Sequence, residues 1–269
     1  MMPDHEARQG RYLPEWLGRT LPPVIVFLAM ATALEVYVRV RHVPVYLLAR
    51  PTAVIRVLWV DRADLLRGLC ITLGGAMIGF AASTLFGTLA AIALSMSSLV
   101  RRAIYPYTIF FQTVPIIAIA PLLLLWFQAG LMAVSICAFI VSVFPVIANT
   151  LTGLLSTDTS LLDLFRLYGA KRSATLWKLR FPTALPSLFT GLRIAAGLAV
   201  IGTVVSEFLV GELGENEGLG VKIVGATKGG RTDRVFAAVL LASLLGLAMF
   251  SGVNLASRLA LRRWHASER

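Results

Sequence analysis

Charged residues are scarce in this sequence. Asp, Glu, Lys and Arg make up only 14% of its 269 residues, whereas 57% are hydrophobic and the mean hydropathy is +0.79. A soluble domain usually contains about a quarter charged residues, so the composition argues against a water-soluble enzyme of this size. We expect a polytopic membrane protein embedded in a lipid bilayer.

Cysteine and histidine are equally sparse. Cys70 and Cys137 lie inside apolar stretches and support neither a disulfide framework nor a metal cluster. His5, His42 and His265 lie outside the long apolar stretches, and none has the spacing of an H-E-x-x-H motif. We therefore predict no metal site and no catalytic residue, and an intramembrane metalloprotease is disfavoured.

The dipeptide Gly-Lys is absent from the sequence. A phosphate-binding loop of the form G-x-x-x-x-G-K-[ST] is therefore excluded. If the chain works with ATP, the nucleotide must be bound by a separate subunit, and no cofactor is expected in the chain itself.

Basic residues exceed acidic ones, 25 to 14, which gives a formal net charge of +11. In a soluble protein such an excess would suggest a nucleic-acid partner. Here the basic residues flank long apolar stretches, which is typical of an orientation signal at a membrane. No nucleic-acid partner is predicted.

The apolar stretches predict six membrane-spanning helices, since one crossing takes roughly 20 apolar residues. Residues 103–157 contain no charge and are too long for one crossing. Gln128-Ala129-Gly130 is the natural turn that divides them into two. The six spans are expected at about residues 21–40, 68–100, 103–127, 131–157, 187–210 and 235–257.

The distribution of Lys and Arg predicts that both termini are cytoplasmic, because basic residues favour the inner side. Residues 1–20 would then be a cytoplasmic segment, 21–260 the six-helix domain and 261–269 a cytoplasmic tail. The first outer loop is an exception, with arginines from Arg39 to Arg67 on the disfavoured side. An alternative is that Ala29-Met30-Ala31 marks a cleaved signal peptide, although the apolar run continues past it.

The first outer loop predicts either a short surface helix or a plain linker. Pro51 suits a first helical position, and Val54, Val57, Leu58 and Trp59 fall on one side at helical spacing. Inside the spans, Gly75 and Gly79 form a G-x-x-x-G pair of the kind that packs membrane helices closely.

The longest cytoplasmic loop in this topology, about residues 157–186, mixes charged and apolar residues. Ser160 to Asp163 resembles a capping box, and the leucines that follow predict an amphipathic helix that Gly169 would end in a left-handed cap. A second short helix is expected to stop before Pro182. The two helices could dock on another protein, but the physical pattern alone favours a solvated basic loop that obeys the positive-inside rule.

This loop resembles the signature loop of permease subunits of ATP-binding-cassette importers, E-A-A, three residues, G, nine residues, I-x-L-P. Asp163-Leu164-Phe165 takes the E-A-A position, Gly169 the glycine, Leu179 the isoleucine and Phe181-Pro182 the last two positions. The rest of the chain is similar to the branch that imports nitrate, sulfonate, taurine and bicarbonate. Fragments of that branch include Ala184-Leu185-Pro186, Gly191-Leu192-Arg193, Val204 to Phe208 and Gly218-Leu219-Gly220.

The resemblance implies an all-α permease fold in the inner membrane of a prokaryote and a division of labour among subunits. Two copies of the chain would pair in the bilayer, two ATPase subunits with ATP and Mg²⁺ would bind beneath, and an extracytoplasmic solute-binding protein would deliver substrate. The substrate would be a small anion, or alternatively a pyrimidine or flavin precursor. The residues it assigns to ATPase coupling are Asp163, Arg166, Gly169, Ala170, Lys171, Arg172, Leu179 and Pro182.

A path for the substrate is suggested by a few polar residues inside the spans. Gln112, Thr113 and Asn149 are the deepest of them, and Glu207 near the outer end of the fifth span is a candidate for an outer gate. Intramembrane polar residues mark ion or substrate pathways, but they also form hydrogen bonds between helices. An ion-coupled carrier or channel is the rival function, and it would transport without an ATPase.

Overall fold

A computed structural model of the chain describes residues 15–127, 130–210 and 217–262, and within this part every regular element is a helix. The predicted cytoplasmic segment and tail therefore lie largely outside the described residues, as do Gln128 and Ala129 of the predicted turn. The helices are α1 (Glu15–Val40), α2 (Pro51–Val60), α3 (Arg62–Met96), α4 (Ser98–Thr113), α5 (Ile116–Phe127), α6 (Leu131–Leu155), α7 (Thr159–Leu167), α8 (Arg172–Thr175), a π-turn (Leu176–Arg180), α9 (Phe181–Val210), α10 (Leu219–Lys228) and α11 (Thr232–Leu261).

Five helices in the described ranges are long and apolar enough to cross a membrane. They correspond to five of the six predicted spans, with α3 ending at Met96 and α6 at Leu155, a few residues earlier than predicted. The all-α class is confirmed. The third predicted span is instead divided between α4 and α5. The break lies at Val114 and Pro115, because a residue before proline is forced out of the helical region. Val114 is extended, with φ −70° and ψ 122°.

The centre of the bundle is formed by α3, α6 and α9, which approach closely through small residues. A Cβ atom added to Gly79 of α3 would lie 2.8 Å from the carbonyl oxygen of Ser135, and one on Gly191 of α9 would lie 2.7 Å from that of Pro145. Only glycine permits such close backbone contact, which contributes van der Waals packing in lipid. The predicted role of the G-x-x-x-G pair, Gly75 and Gly79, is confirmed.

The predicted first outer loop contains a helix, α2, as one of the two interpretations had it. Pro51 is at its N-terminus, and Val57 is buried in a cluster with Leu65 of α3 and Leu219 of α10. Trp59 was expected on the same face but is 72% exposed. Its ring lies instead 4.9 Å from the guanidinium carbon of Arg62.

Alternating helix directions give the bundle two ends with different contents. The end where α6 leads into α7, here called the arm end, has an apolar cluster that includes Leu94, Leu154 and Leu176. The opposite end, here called the far end, contains the starts of α3 and α11 together with α2 and α10. Sequence reasoning predicted α2 as one alternative but did not predict α10.

Candidate functional site

The segment from residue 158 to residue 175, here called the arm, consists of α7, α8 and their connection. Asp158 caps α7, and its carboxylate accepts a hydrogen bond from the N–H of Ser160 at 2.8 Å. The predicted capping box beginning at Ser160 is therefore wrong by two residues. Asp163 pairs with Arg166 at 2.8 Å instead of capping the helix, because it lies one turn in from the true N-terminus.

Gly169 ends α7 in the predicted left-handed conformation, with φ +67°. Its N–H donates to the carbonyl of Arg166, and the N–H of Ala170 donates to that of Phe165, both at 2.9 Å. This pair of hydrogen bonds is a Schellman motif, which fixes the direction in which the chain leaves a helix. Gly169 thus determines the angle between α7 and α8.

The second helix does not stop before Pro182, contrary to prediction. α8 continues through the π-turn into α9, and Pro182 is the second residue of α9. A proline inside an α-helix removes one hydrogen bond and clashes with the carbonyl four residues back. The π-turn directly before it bonds five residues back and so relieves this conflict.

The predicted coupling residues are brought together on the arm or where it joins the bundle. Within the described chain neither α7 nor α8 has a buried residue. Leu179 is half-buried in the π-turn, and Pro182 is half-buried at the start of α9. Ala170 is half-buried, and the fully exposed members of the set are Asp163, Arg166, Gly169, Lys171 and Arg172.

Large apolar side chains of the arm are also exposed. Leu167 is 85% exposed and Tyr168 83%, and Leu164 beside them is also exposed. An apolar surface next to exposed basic groups has the composition of a protein-binding surface, with an apolar centre and a polar rim. The arm is therefore an elbow of two short helices that exposes apolar and basic side chains together.

The residues predicted for the substrate path lie in separate places. Gln112 and Thr113 are exposed at the end of α4. Asn149 donates to the carbonyl of Pro145 on its own helix at 2.8 Å. Glu207 is 3% exposed at the far end. Their role in a path stays a prediction.

The carboxylate of Glu207 forms the N-terminal cap of α10. It accepts hydrogen bonds from the N–H of Gly220 and the hydroxyl of Thr72, both at 2.9 Å. The hydroxyl oxygen of Thr72 in turn accepts a hydrogen bond from the N–H of Leu219 at 2.9 Å. A carboxylate at a helix N-terminus is stabilised by the free N–H groups and by the helix dipole. Three helices, α3, α9 and α10, are thereby joined at one buried point.

The glycines before α10 are explained by this contact. Gly218 faces the Glu207 carboxylate so closely that a Cβ atom there would overlap it. A Cβ atom added to Gly220 would likewise lie too close to the backbone of Val204. The Gly218-Leu219-Gly220 fragment, which the sequence offered only as a resemblance, thus lets the backbone reach the carboxylate.

A second polar attachment of α10 is the ammonium of Lys222, whose side chain is 3% exposed. It lies 2.6 Å from a carboxylate oxygen of Asp64 and 3.3 Å from one of Glu217. Asp64 also binds the guanidinium of Arg234 at the start of α11. Sequence reasoning missed this cluster, although a lysine among apolar residues with an aspartate at the start of a span was a signal for it.

Replacing Asp64 by Ala should destabilise the protein strongly, since among the described residues it leaves the buried Lys222 ammonium with Glu217 as its one carboxylate partner. Breaking a buried ion pair on one side costs about 3–5 kcal/mol, reduced here because Asp64 itself is 40% exposed. We expect the combined variant Asp64→Ala, Lys222→Met to be more stable than Asp64→Ala alone. Thermal unfolding in detergent measures both variants, and a double variant no more stable than Asp64→Ala would contradict this expectation.

Known proteins are similar to this chain over most of its length. The family model described as "Binding-protein-dependent transport system inner membrane component" matches residues 83–261. The formylaminopyrimidine transport permease protein ThiX of Halalkalibacterium halodurans is 34% identical over 88% of this chain and 93% of that protein. The riboflavin transport system permease protein RibX of Chloroflexus aurantiacus is 30% identical over 94% and 92%. The taurine transport system permease protein TauC of Escherichia coli is 29% identical over 76% and 72%.

A solved structure described as an amino acid ABC transporter with histidines has a similar fold. It aligns with a TM-score of 0.58 and 18% identity, covering 76% of this chain and 96% of that chain. At this identity the likeness supports the fold alone. The arm lies within residues 83–261, the part of the chain that the family model matches.

Proposed function

Since the chain belongs to the family of binding-protein-dependent transport system inner membrane components, we propose that it is coupled to a separate ATPase through the arm. The protein is a multi-pass inner-membrane permease of an ATP-binding-cassette importer. The observation that carries the coupling proposal is the arm itself. Its two short helices expose basic and apolar side chains together and have no buried residue within the described chain.

The proposed assembly contains two copies of this chain, two ATPase subunits that bind ATP and Mg²⁺, and an extracytoplasmic solute-binding protein. Family membership implies the ATPase and the binding protein. In this assembly the arm end is cytoplasmic, where ATP is available, and the far end faces the binding protein. The chain contributes no Gly-Lys phosphate-binding loop, so hydrolysis is assigned to the partner subunit.

The proposed substrate is a small anion of the nitrate, sulfonate or taurine type. Relatives named for taurine, nitrate and aliphatic sulfonates support it. A second candidate is a pyrimidine or flavin precursor, since ThiX and RibX match a larger share of this chain, 88% and 94%, than the 76% matched by TauC.

Affinity purification in mild detergent tests the coupling proposal. The full-length chain, expressed in its source cells with a purification tag, should recover an ATPase subunit in equal amount, together with ATP hydrolysis activity. In proteoliposomes, its binding protein loaded with taurine or nitrate should stimulate hydrolysis more than the same protein offered riboflavin or a formylaminopyrimidine. Solute uptake by the purified chain without any ATPase would contradict the proposal.

A further inference from the structure

The arm follows α6 through residues 156–157 and joins α9 through a single π-turn. In Leu176–Arg180 the N–H of Phe181 donates to the carbonyl of Leu176, five residues back. An α-helix bonds four residues back, and α8 and α9 on either side are α-helical. The turn therefore contains one residue more than an α-helical turn. Such single π-turns occur frequently at functional sites.

The extra residue allows both ends of the turn to pack into the same cluster. Leu176 is 8% exposed and contacts the arm-end cluster, and Phe181 packs against that cluster too. In an α-helix, residues five apart point about 140° away from each other around the axis. One of the two side chains would then leave the core. The burial of both side chains stabilises the π-turn.

Pro182 also favours the π-turn over an α-helical turn. It has no N–H, so it cannot donate to the carbonyl four residues back, and its ring would clash with that carbonyl in a regular α-helix. The wider turn before it separates these groups. Trp177 covers the turn from outside, with its ring centroid 5.2 Å from that of Phe181.

We propose that the one extra residue of this π-turn sets the rotational register of the arm about α9, and that the packing of Leu176 and Phe181 in one cluster positions the arm. What the arm meets is taken from the proposed function. A helix turns about 100° per residue, so a register change of one residue would point the exposed face of α7 away from the surface it must bind.

The first test variant removes the extra residue, by deletion of Lys178 together with Pro182→Ala. Lys178 is exposed, and its deletion places Leu176 and Phe181 four positions apart, where both share one face of an α-helix. The turn can then become α-helical without moving the arm. The substitution of Pro182 supplies the missing N–H, and Pro182→Ala alone serves as the parent variant.

The matched control inserts one Ala after Lys178 in the same Pro182→Ala background. A second extra residue cannot be absorbed by the turn, so the arm should rotate by about 100° and shift by about 1.5 Å along the axis. If the junction were an ordinary α-helix, deletion and insertion would rotate the arm by equal amounts in opposite directions. Unequal displacement of the arm by the deletion and the insertion is therefore expected only if the junction is a π-turn.

Arm position is read from the distance between nitroxide labels on Leu167→Cys of α7 and Met96→Cys of α3, with Cys70→Ser and Cys137→Ala as background. Both labelled sites are exposed, 85% and 63%. We expect the deletion to keep the parent distance within about 2 Å, and the insertion to shift it by on the order of 5 Å or more. The ATPase co-purified with the deletion variant should stay within about twofold of the parent, and the insertion should reduce it at least tenfold.

Equal displacement of the arm in both variants would overturn the inference. So would a deletion variant that is not recovered in monodisperse form, because a turn with one residue to spare should close without it. The label distances are measured on the permease alone. A parent that recovers no ATPase but shows the predicted distances would therefore refute the proposed function and leave the register inference supported.

Discussion

Charge reversal at Arg172 is expected to abolish ATP-driven import while leaving the protein folded in the membrane. Arg172 is exposed and is the first residue of α8. A carboxylate at that position is favoured by the helix dipole, so Arg172→Glu should not disturb α8. At a charge-complementary interface it places like charges together, which costs several kcal/mol. About 1.4 kcal/mol corresponds to a factor of ten, so import should fall at least tenfold.

The measurement is solute uptake in proteoliposomes alongside the amount of ATPase recovered with the permease. The matched control is Arg102→Glu, which reverses an exposed charge in α4 at the same end of the bundle but outside the arm. We expect this control to retain uptake within about threefold, since an exposed charge away from an interface contributes little. Full uptake by Arg172→Glu would remove the arm from the coupling mechanism.

Patterns that depend on local chemistry were predictable from the sequence. Apolar length predicted five of the six spans as single helices, and Gly169 was identified as a left-handed cap because few other residues adopt a positive φ. The G-x-x-x-G pair predicted close packing for the same kind of reason. Each of these features is specified by one short stretch of chain.

Features that depend on contacts between distant residues were not predictable. Both Ser160 and Asp158 are residue types that cap helices, and in the structure Asp158 caps α7. Pro182 normally ends a helix, but the burial of Leu176 and Phe181 in one cluster stabilises a π-turn that carries the helix through it. α10 was missed because its N-terminus is capped by Glu207 and Thr72 from other helices, not by a neighbouring residue.

Glu207 illustrates how one residue type admits several roles. The sequence placed it near the end of a span and suggested an outer gate. The structure gives the carboxylate a defined contact, with α10 capped by it and α3 bonded to it through Thr72. Glu207 can serve both as a gate residue and as a cap if α10 moves during transport. In that case its carboxylate controls the position of α10.

Replacing Glu207 by Ala should therefore detach the N-terminus of α10 and stop import. The substitution leaves the N–H of Gly220 and the hydroxyl of Thr72 without their buried acceptor, and each unsatisfied group costs about 1–3 kcal/mol. Together they cost about 2–6 kcal/mol and should lower the melting temperature in detergent by roughly 4–24 °C, at about 2–4 °C per kcal/mol for a chain of this size. Hydrogen exchange should increase at the first residues of α10.

Glu207→Gln distinguishes the hydrogen bond that caps α10 from the negative charge, because the amide oxygen still accepts the hydrogen bond from the N–H of Gly220. We expect this variant to retain most of the stability and the slow exchange of α10. The neighbouring carboxylate of Glu217, whose side chain is 64% exposed, provides the control Glu217→Ala, with a small effect on stability. An unanchored helix end must exchange its amide hydrogens faster than a capped one. If Glu207→Ala unfolds at the parent temperature and the amide hydrogens of α10 exchange at the parent rate, the carboxylate does not hold α10 in place.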